Sequence, residues 1–327
     1  MIASLRIRMT NVLRGAALSS ALAMVAGVAF AQPAPPTTLS AEGRAALAEA
    51  AKAPQPSGTD VEARRVFLSK FQEQFGEAQR RRYPVEIEAS TLGGVPVRII
   101  RPKNSPAHGR RVLINLHGGG FNADSGSLTE NIPIAATTGI PVVAVLYRLA
   151  PEHPFPAAVD DGLAVYRELL KTHKPSEIGI FGTSAGAVLG PQLIARIHKE
   201  GLPQPAVLGM FSGDTDLSRK GDSLSSLPFD ITPEYKRYLG GASLTDPLAS
   251  PALAAAGFFP PTLCVSSTRD FYLSTTANFC RQLELAGVEN KLVVFDGLPH
   301  AFWSYLAMPE ADQAFAVMSR FLGAHLR

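Results

Sequence analysis

A serine stands in the sequence GTSAG, residues 182–186, between a short apolar run and a pattern of small residues that is typical of a helix. Glycine at both ends of this pentapeptide permits a very tight turn from strand to helix, because a Cβ at Gly182 or Gly186 would strike the neighbouring backbone. The turn would present the Ser184 hydroxyl at the positive end of the helix dipole, which favours developing negative charge. Ser184 is therefore a candidate nucleophile, although a helix-capping serine in an ordinary turn fits the pentapeptide equally well.

A serine nucleophile needs a base, which is usually histidine. Where such a serine lies on a strand–turn–helix unit, the order along the chain is serine, acid, histidine. His300 follows the last predicted strand in FDGLPHAFW, and this loop can return it to the carboxyl edge of the sheet. Of the other downstream histidines, His198 lies in the helix next to Ser184 and His325 lies near the C-terminus on a helix. The sequence therefore favours His300 as the base.

The base in turn needs an acid that orients its ring. Asp270 follows the apolar run TLCVSS in the segment STRDFYLS, so it is expected at the same edge of the sheet as Ser184. Asp296 is the alternative, four residues before His300, and it is expected at a strand end. We favour Asp270 as the acid.

Three consecutive glycines occur in HGGGF, residues 117–121, directly after a predicted strand. They let the backbone approach a ligand with bare N–H groups, so the amides of Gly118, Gly119 and Ala185 could surround an oxyanion. A phosphate-binding loop is a poorer fit, because no Lys-Ser/Thr pair follows and the spacing is not G-x-G-x-x-G. His117 is interpreted as a residue that holds this loop rather than as a base.

The composition excludes several classes of function. The 327 residues are 46% hydrophobic and 18% charged with a net charge of +3, and no basic stripe is interleaved with aromatic residues, so nucleic acid is not an expected partner. No group of Cys, His and carboxylate residues has the spacing of metal ligands, and no metal is expected. Cys264 and Cys280 are the only cysteines; we favour two buried free thiols, with a disulfide as the alternative in an exported protein.

The N-terminus resembles an export signal. Arg6, Arg8 and Arg14 precede an apolar run that ends in Ala29-Phe30-Ala31, and small residues at these positions are typical of signal-peptide cleavage before Gln32. We therefore expect residues 1–31 to be removed, leaving a periplasmic or secreted protein with no membrane anchor. An uncleaved anchor is the alternative, although the run is short for a membrane span.

Eight apolar runs alternate with helical patterns, which predicts an α/β fold with a mostly parallel sheet covered by helices on both faces. The predicted strands are 85–90, 95–101, 112–117, 141–147, 178–182, 206–211, 262–267 and 291–297. The predicted helices between or after them are 157–171, 184–199, 273–286 and 309–325, and SLTE at 127–130 is read as a capping box that opens one more.

Two segments fall outside this alternation. Residues 40–82 carry helical patterns, with Val61, Val66, Phe67, Phe71 and Phe75 roughly on one stripe. Residues 212–259 are polar and rich in Pro and Gly, with one short helix near TPEYKRYL. Since this stretch is too long for an ordinary loop, we interpret it as an insertion over the edge of the sheet where ligands bind.

From residue 85 to the end, the chain resembles the hormone-sensitive-lipase-like esterases of the α/β-hydrolase family, and YRLAPEHPFPAAVDD at 147–161 is the most specific motif. The resemblance implies an α/β-hydrolase catalytic domain over 85–327 with an eight-stranded sheet. It also implies a helical cap, built from the insertion at about 212–259 and from N-terminal helices that match residues 40–82; the segment 32–84 thus holds a leader and these cap helices. In that family no cofactor is used, and the matching residues are the nucleophile Ser184, the acid Asp270, the base His300 and the oxyanion donors Gly118, Gly119 and Ala185.

Some motifs depart from the commonest family pattern. Thr183 stands where most members have aspartate, and GTSAG together with DSGSLTEN at 124–131 resembles a subgroup. A second carboxylate that usually follows the acid is absent from DFYLS, and GGASLTDPLASPAL at 240–253 resembles monoterpene lactone hydrolases. We therefore expect a serine hydrolase of short-chain esters or lactones.

Other functions remain open on the same residues. An amidase, a thioesterase or a deacetylase would use the same triad, a lipase would need an apolar lid, and a non-catalytic binder would lack the base. Family members are often dimers through the last strand and helix, so a homodimer is expected from the resemblance. The aromatic residues expected to form pocket walls are Phe121, Phe155, Phe302 and Trp303.

Overall fold

The structure, a computed structural model, describes residues 34–52, 60–103, 110–227 and 230–327. The expected export signal at 1–31 and its cleavage point before Gln32 lie outside the described residues.

An eight-stranded sheet forms the centre of the protein, in the order β1-β2-β4-β3-β5-β6-β7-β8. Strands β1 and β2 form an antiparallel hairpin, β2 also pairs antiparallel with β4, and every pair from β4 to β8 is parallel. The strands are β1 Val85–Leu92, β2 Val95–Pro102, β3 Val112–Leu116, β4 Val142–Val145, β5 Ile178–Thr183, β6 Val207–Phe211, β7 Thr262–Arg269 and β8 Asn290–Pro299. The predicted α/β fold with a mostly parallel sheet is confirmed.

Helices cover both faces of this sheet, as the continuous burial of β3 to β6 requires. The side chains of α4, α5 and α8 join one apolar cluster, and those of α3 and α9 join the cluster on the other face. The α-helices in the described residues are α1 Ala41–Ala50, α2 Val61–Arg82, α3 Asn131–Thr138, α4 Ala157–Leu169, α5 Ala185–Lys199, α6 Asp222–Ser225, α7 Thr232–Leu239, α8 Leu273–Leu285 and α9 Pro309–His325. Short 3₁₀ turns lie at Pro175–Glu177, Pro251–Leu253, Ala256–Phe258 and Phe302–Ser304.

The long helix α2 lies over the loop that follows β3. Its Gln72 and Gln79 amides donate to the carbonyls of Asp124 and Thr129 at 2.8 and 2.5 Å. The sequence-based stripe was partly wrong, because Val66 is 46% exposed whereas Leu68 is fully buried. The buried face therefore combines apolar residues with glutamines that satisfy loop carbonyls, which apolar periodicity alone does not detect.

The capping box expected in SLTE is wrong. Helix α3 begins at Asn131, and no side chain caps its N-terminus. The Ser127 hydroxyl instead donates to Asp124, and the Glu130 carboxyl accepts a 3.2 Å hydrogen bond from Asn115. Both side chains are fully buried. Their hydrogen-bond partners are polar side chains rather than the backbone amides at the start of a helix.

The two cysteines belong to β7 and α8, and both side chains join the apolar cluster on the same face of the sheet. Cys264 and Cys280 are buried and unbonded, which confirms the expectation of two free thiols. Burial is the main cause that raises the pKa of the Cys264 thiol well above its ordinary value, which favours the protonated thiol over the reactive thiolate.

Candidate active site

The turn between β5 and α5 is as tight as the sequence predicts. Strand β5 ends at Thr183, α5 begins at Ala185, and the residue between them, Ser184, has φ 59° and ψ −120°. A Cβ on Gly186 would lie 1.7 Å from the carbonyl oxygen of Leu116, and one on Gly182 would lie 2.4 Å from Gly186. The steric need for glycine at both positions is confirmed, and the positive φ of Ser184 is a strained backbone conformation for a residue with a side chain.

Three side chains from three separate loops meet at this turn. His300 Nε2 lies 2.8 Å from Ser184 Oγ, and His300 Nδ1 lies 2.7 Å from Asp270 Oδ1. Asp270 is 1% exposed and His300 is 6% exposed, so solvent scarcely reaches the pair. The structure thus brings together the serine, histidine and aspartate that the sequence selects, in the arrangement of a catalytic triad.

Asp270 is held as a carboxylate. Burial alone would raise its pKa, but the charge and hydrogen bond of His300 and the amide of Tyr272 outweigh burial and leave the pKa below its ordinary value. The Ser266 hydroxyl donates to Oδ2 at 2.7 Å, and the Tyr272 amide donates to Oδ1 at 3.0 Å. A fixed carboxylate at Nδ1 keeps the proton there and leaves Nε2 to accept one from serine.

The alternative acid and bases are occupied elsewhere. Asp296 is exposed and accepts hydrogen bonds from the hydroxyls of Thr38 and Thr268 at 2.6 and 3.2 Å. His198 stacks on Phe258, and His325 lies 3.1 Å from Glu289. These contacts leave Asp270 and His300 as the pair at the serine.

The oxyanion loop, defined here as Gly118–Gly120, turns sharply past the serine. Gly119 has φ 122°, and a Cβ there would lie 1.9 Å from the carbonyl of Ala123. Among the described residues, no backbone hydrogen bond uses the N–H of Gly118, Gly119 or Ala185. These three donors are therefore available to a developing oxyanion next to Ser184.

His117 supports this loop. Its ring stacks on Tyr147 with centroids 4.1 Å apart, and its Nδ1 lies 2.8 Å from the carbonyl oxygen of Gly118. The Tyr147 hydroxyl donates to the carbonyl of His117 at 2.7 Å. The contacts agree with the loop-holding interpretation of His117 and place it away from the proton-transfer chain.

A cleft opens at Ser184. Its lining includes the polar side chains of Ser125, Glu130, Thr183 and Ser304 and the cationic side chain of Arg64, from α2. It is lined by Arg64, Gly118, Gly119, Gly120, Ser125, Gly126, Glu130, Thr183, Ser184, His300, Ala301, Ser304 and Tyr305.

The four aromatic residues expected as pocket walls do not line this cleft. Phe302 and Trp303 have no exposed surface and pack in the core against α9, where the Trp303 indole lies near the Thr183 hydroxyl at 3.4 Å, so the prediction for them is wrong. Phe121 is buried and stacked on Tyr238 of α7 with ring centroids 3.9 Å apart, and Phe155 meets the same ring edge-on. These four aromatic residues pack against the sheet and α7.

Sequence reasoning missed two charged residues of the cleft, Arg64 and Glu130. Arg64 stands in a strongly charged helix, EARR, where nothing in the pattern separates it from solvent-facing neighbours. The pattern SLTE predicts a capping box instead, which gives Glu130 a structural role. The signal that could have identified Glu130 is its place on the same loop as HGGG, only ten residues after Gly120.

Glu130 is an unusual carboxyl, with no exposed surface. Burial raises its pKa to about 7, against the opposing effects of Thr183 and Asn115. No hydrogen bond reaches its Oε2 among the described residues, although the Thr183 hydroxyl is near enough to influence the pKa. At neutral pH this carboxyl is therefore close to half protonated.

A second buried carboxyl links the insertion to the acid loop. The Tyr235 hydroxyl on α7 lies 2.9 Å from Asp214 Oδ2 and 3.0 Å from the Tyr272 hydroxyl. Burial raises the pKa of Asp214 to about 7. Because Tyr272 also donates its amide to Asp270, the chain of contacts runs from the insertion to the acid of the triad.

Within the described ranges, no three His, Cys, Asp or Glu side chains are grouped so that they could hold a metal ion. None of the helices in that part of the chain is long and apolar enough to span a bilayer.

Comparison with known proteins gives a consistent answer. The sequence model of a family described as having the α/β-hydrolase fold matches residues 113–304, which contain every residue of the triad and the oxyanion loop. An acetyl-hydrolase of Streptomyces hygroscopicus is 30% identical over 279 residues, covering 80% of this chain and 90% of the relative. An ethyl acetate hydrolase of Pseudomonas putida is 30% identical over 289 residues, covering 81% and 90%.

Solved structures agree with these relatives. The crystal structure of one esterase has a TM-score of 0.79 at 27% identity and covers 93% of this chain and 99% of its own. An esterase from the bacterial hormone-sensitive lipase family has a TM-score of 0.73 at 28% identity, covering 83% and 93%.

Proposed function

The chain belongs to the α/β-hydrolase family, as a serine esterase of the hormone-sensitive-lipase-like group, and from that premise we propose that it cleaves short-chain acyl esters and lactones through an acyl-enzyme on Ser184. The observation that carries the mechanism is the continuous contact from Ser184 through His300 to Asp270, at 2.8 and 2.7 Å.

Acylation begins when His300 Nε2 takes the proton of Ser184 and the serine oxygen attacks the ester carbonyl. Asp270 stabilises the imidazolium that forms and keeps the ring oriented. The carbonyl oxygen becomes an oxyanion, which accepts hydrogen bonds from the amides of Gly118, Gly119 and Ala185. His300 then gives its proton to the alkoxide, and the alcohol leaves.

Deacylation repeats these steps with water. His300 takes a proton from water, the resulting hydroxide attacks the acyl carbon, and Ser184 recovers its proton as the acid is released. In a lactone, the leaving alkoxide stays tethered to the acyl group, so the product is a hydroxy acid. No cofactor takes part in the proposed reaction.

Two features support short chains. No large aliphatic side chain is among the described residues that line the cleft beside Ser184, which does not favour a long acyl chain, and ethyl acetate is the named substrate of one relative. The lactone part rests on the resemblance of residues 240–253 stated above.

The test is hydrolysis of p-nitrophenyl esters from acetyl to octanoyl by the protein and by Ser184→Ala. We expect activity highest on acetyl or butyryl and a loss of at least about a thousandfold in the variant. Acid-quenched intact-mass analysis during turnover of the butyryl ester should detect one added butyryl group, absent in Ser184→Ala. Equal rates in the two proteins, or a preference for octanoyl, would contradict the proposal. Ring opening of a small δ- or ε-lactone tests the lactone part separately.

We further propose residues 85–327 as the catalytic domain and segments 32–84 and 212–259 as its cap. Residues 1–31 are proposed as an export signal cleaved before Gln32, so that the mature protein is periplasmic or secreted. N-terminal sequencing of the protein recovered from periplasm and medium tests this assignment.

A homodimer through β8 and α9 is proposed as well. Leu292 and Val294, on the edge strand β8, are 38% and 40% exposed, as an interface between copies would require. Light scattering of the mature protein and of Val294→Lys tests the dimer: a monomer in both would contradict it.

A further inference from the structure

Arg64 reaches from α2 to the cleft at Ser184, next to the oxyanion loop. A Cβ on Gly120 would lie 3.0 and 3.1 Å from its two Nη atoms, so the guanidinium occupies the space that this glycine leaves open. Its Nη1 donates a hydrogen bond to the side-chain oxygen of Asn122, which fixes the orientation of the group. Arg64 is half-buried, so its head remains within reach of a ligand in the cleft.

The charges around Arg64 leave this part of the cleft positive. Burial lowers the pKa of Arg64 to about 10, so it stays a cation at neutral pH in a poorly solvated place. Glu234 of α7 attracts it, but Glu234 also pairs with Arg237 at 3.6 Å, and Arg237 repels Arg64. The carboxylate of Glu234 thus attracts both Arg64 and Arg237 and pairs with Arg237.

The other ionisable carboxyl of the cleft wall does not offset this charge. Glu130 has no exposed surface, and burial raises its pKa to about 7, so it carries a full negative charge only above neutral pH. A ligand entering the cleft thus meets the cationic Arg64 on its wall. A neutral ester makes no use of it.

We propose that Arg64 is a specificity-determining residue that binds a carboxylate carried by the substrate, so that the preferred esters are half-esters of short dicarboxylic acids. A carboxylate suits the planar donor fork of a guanidinium, and bonds between ionised partners are stronger than neutral ones. The inference rests on the proposed ester hydrolysis at Ser184 and names its substrate class; the products are an alcohol and a dicarboxylate.

The experiment compares charged and neutral esters of similar size by titrating released acid at pH 7. Monoethyl succinate is paired with ethyl levulinate, and monoethyl glutarate and adipate with ethyl pentanoate and hexanoate. In the wild-type protein, at least one half-ester should exceed its neutral partner in kcat/KM. Arg64→Gln should lower that ratio by about tenfold or more, mainly through KM, and Arg64→Lys should recover part of it.

The matched control is Arg65→Gln, because Arg65 bonds Glu152 and the carbonyls of Asn122 and Ala150 and does not line the cleft. Any loss it causes should fall equally on both esters of a pair. A second measurement needs no variant: in the wild-type protein, KM for the preferred half-ester should rise with added NaCl while that for its neutral partner does not.

Two results would overturn the inference: neutral esters preferred in every pair by the wild-type protein, or equal losses on both esters in Arg64→Gln. Either result leaves ester hydrolysis intact, because the neutral esters and Ser184→Ala report on it independently. Failure of the neutral and charged esters alike would instead contradict the proposed function.

Discussion

The hydroxyl of Tyr235, on helix α7 of the insertion, lies 3.0 Å from the hydroxyl of Tyr272, two residues after the acid of the triad. Tyr272 donates its amide to Asp270, and its ring lies edge-on to His300 with centroids 5.5 Å apart. The insertion is thus hydrogen-bonded to the loop that positions the catalytic acid.

Removing the Tyr235 hydroxyl should therefore disturb the position of Asp270 while leaving the contacts with the substrate unchanged. In Tyr235→Phe we expect kcat to fall about 2- to 10-fold with KM little changed, because one hydrogen bond contributes about 0.5–1.5 kcal/mol. The control is Tyr166→Phe in α4, which loses a part-buried 2.6 Å hydrogen bond to the carbonyl of Pro203. Steady-state kinetics should show a loss of kcat in the first variant only; equal kcat in both would contradict the link.

Asp270 and Asp296 can be told apart by isosteric substitution. Asp270→Asn should lower kcat by about 10³- to 10⁴-fold, because the amide no longer holds the His300 ring in the useful tautomer. Asp296→Asn should leave kcat nearly unchanged, since Asp296 bonds only the hydroxyls of Thr38 and Thr268 in the described structure. A large loss in Asp296→Asn would reverse the assignment of the acid.

Glu130 should make stability depend on pH. Its pKa is raised from the ordinary 4.5 to about 7, so the native state binds its proton more tightly than the unfolded state. This favours the native state fully below about pH 4.5, and the benefit is lost as the pH rises to 7. Glu130→Gln should therefore raise the free energy of unfolding at pH 8 relative to wild type by more than it does at pH 5, with a difference of roughly 3 kcal/mol as the upper limit.

Urea titrations at pH 5 and pH 8 measure this difference. Asp214 has its pKa raised in the same direction, so the wild-type slope contains both groups and Glu130→Gln should remove only part of it. A variant whose unfolding free energy changes with pH as steeply as that of the wild-type protein would show that Glu130 is not the buried acid described above.

Helix α5 should tolerate an added methyl group at Gly190 but not at Gly186, which lies in the turn after Ser184. Gly186→Ala places a Cβ 1.7 Å from the backbone oxygen of Leu116, so we expect loss of folding or several kcal/mol of stability. Gly190→Ala meets only a flexible Leu208 methyl at 3.3 Å, and alanine in a helix is favoured over glycine by about 1 kcal/mol. Thermal unfolding should separate the two variants; similar melting temperatures would contradict the steric account.

The sheet could be predicted from the sequence because its strands leave a strong signal. All eight lie within two residues of the apolar runs that predict them. The signal is clearest for β3 to β6, because strands buried on both faces read as nearly continuous apolar runs. The triad followed from the same pattern: Ser184, Asp270 and His300 each come directly after a strand, and parallel strands end at one edge. The order of these three residues along the chain, serine, acid and histidine, then assigned their roles without any knowledge of the distances between them.

The cleft wall could not be predicted in the same way. Arg64 comes from a helix more than a hundred residues before the serine, and only the packing of α2 on the loop after β3 brings it to the site. Glu130 differs from a capping glutamate only in what surrounds it: Asn115 donates to it from β3, and burial removes water. Phe302 and Trp303 were expected to line the pocket and instead pack in the core. Their position in the sequence, close to His300, does not distinguish the two roles.

The strained backbone of Ser184 affects which substitutions selection would retain at this position. A φ of 59° with a ψ of −120° is a conformation that costs a residue with a side chain about 1–3 kcal/mol and costs glycine little. Natural selection for ester cleavage therefore maintains a residue that selection for stability alone would replace. In a lineage released from that need, loss of activity and gain of thermal tolerance should arrive together, through a single substitution at this position.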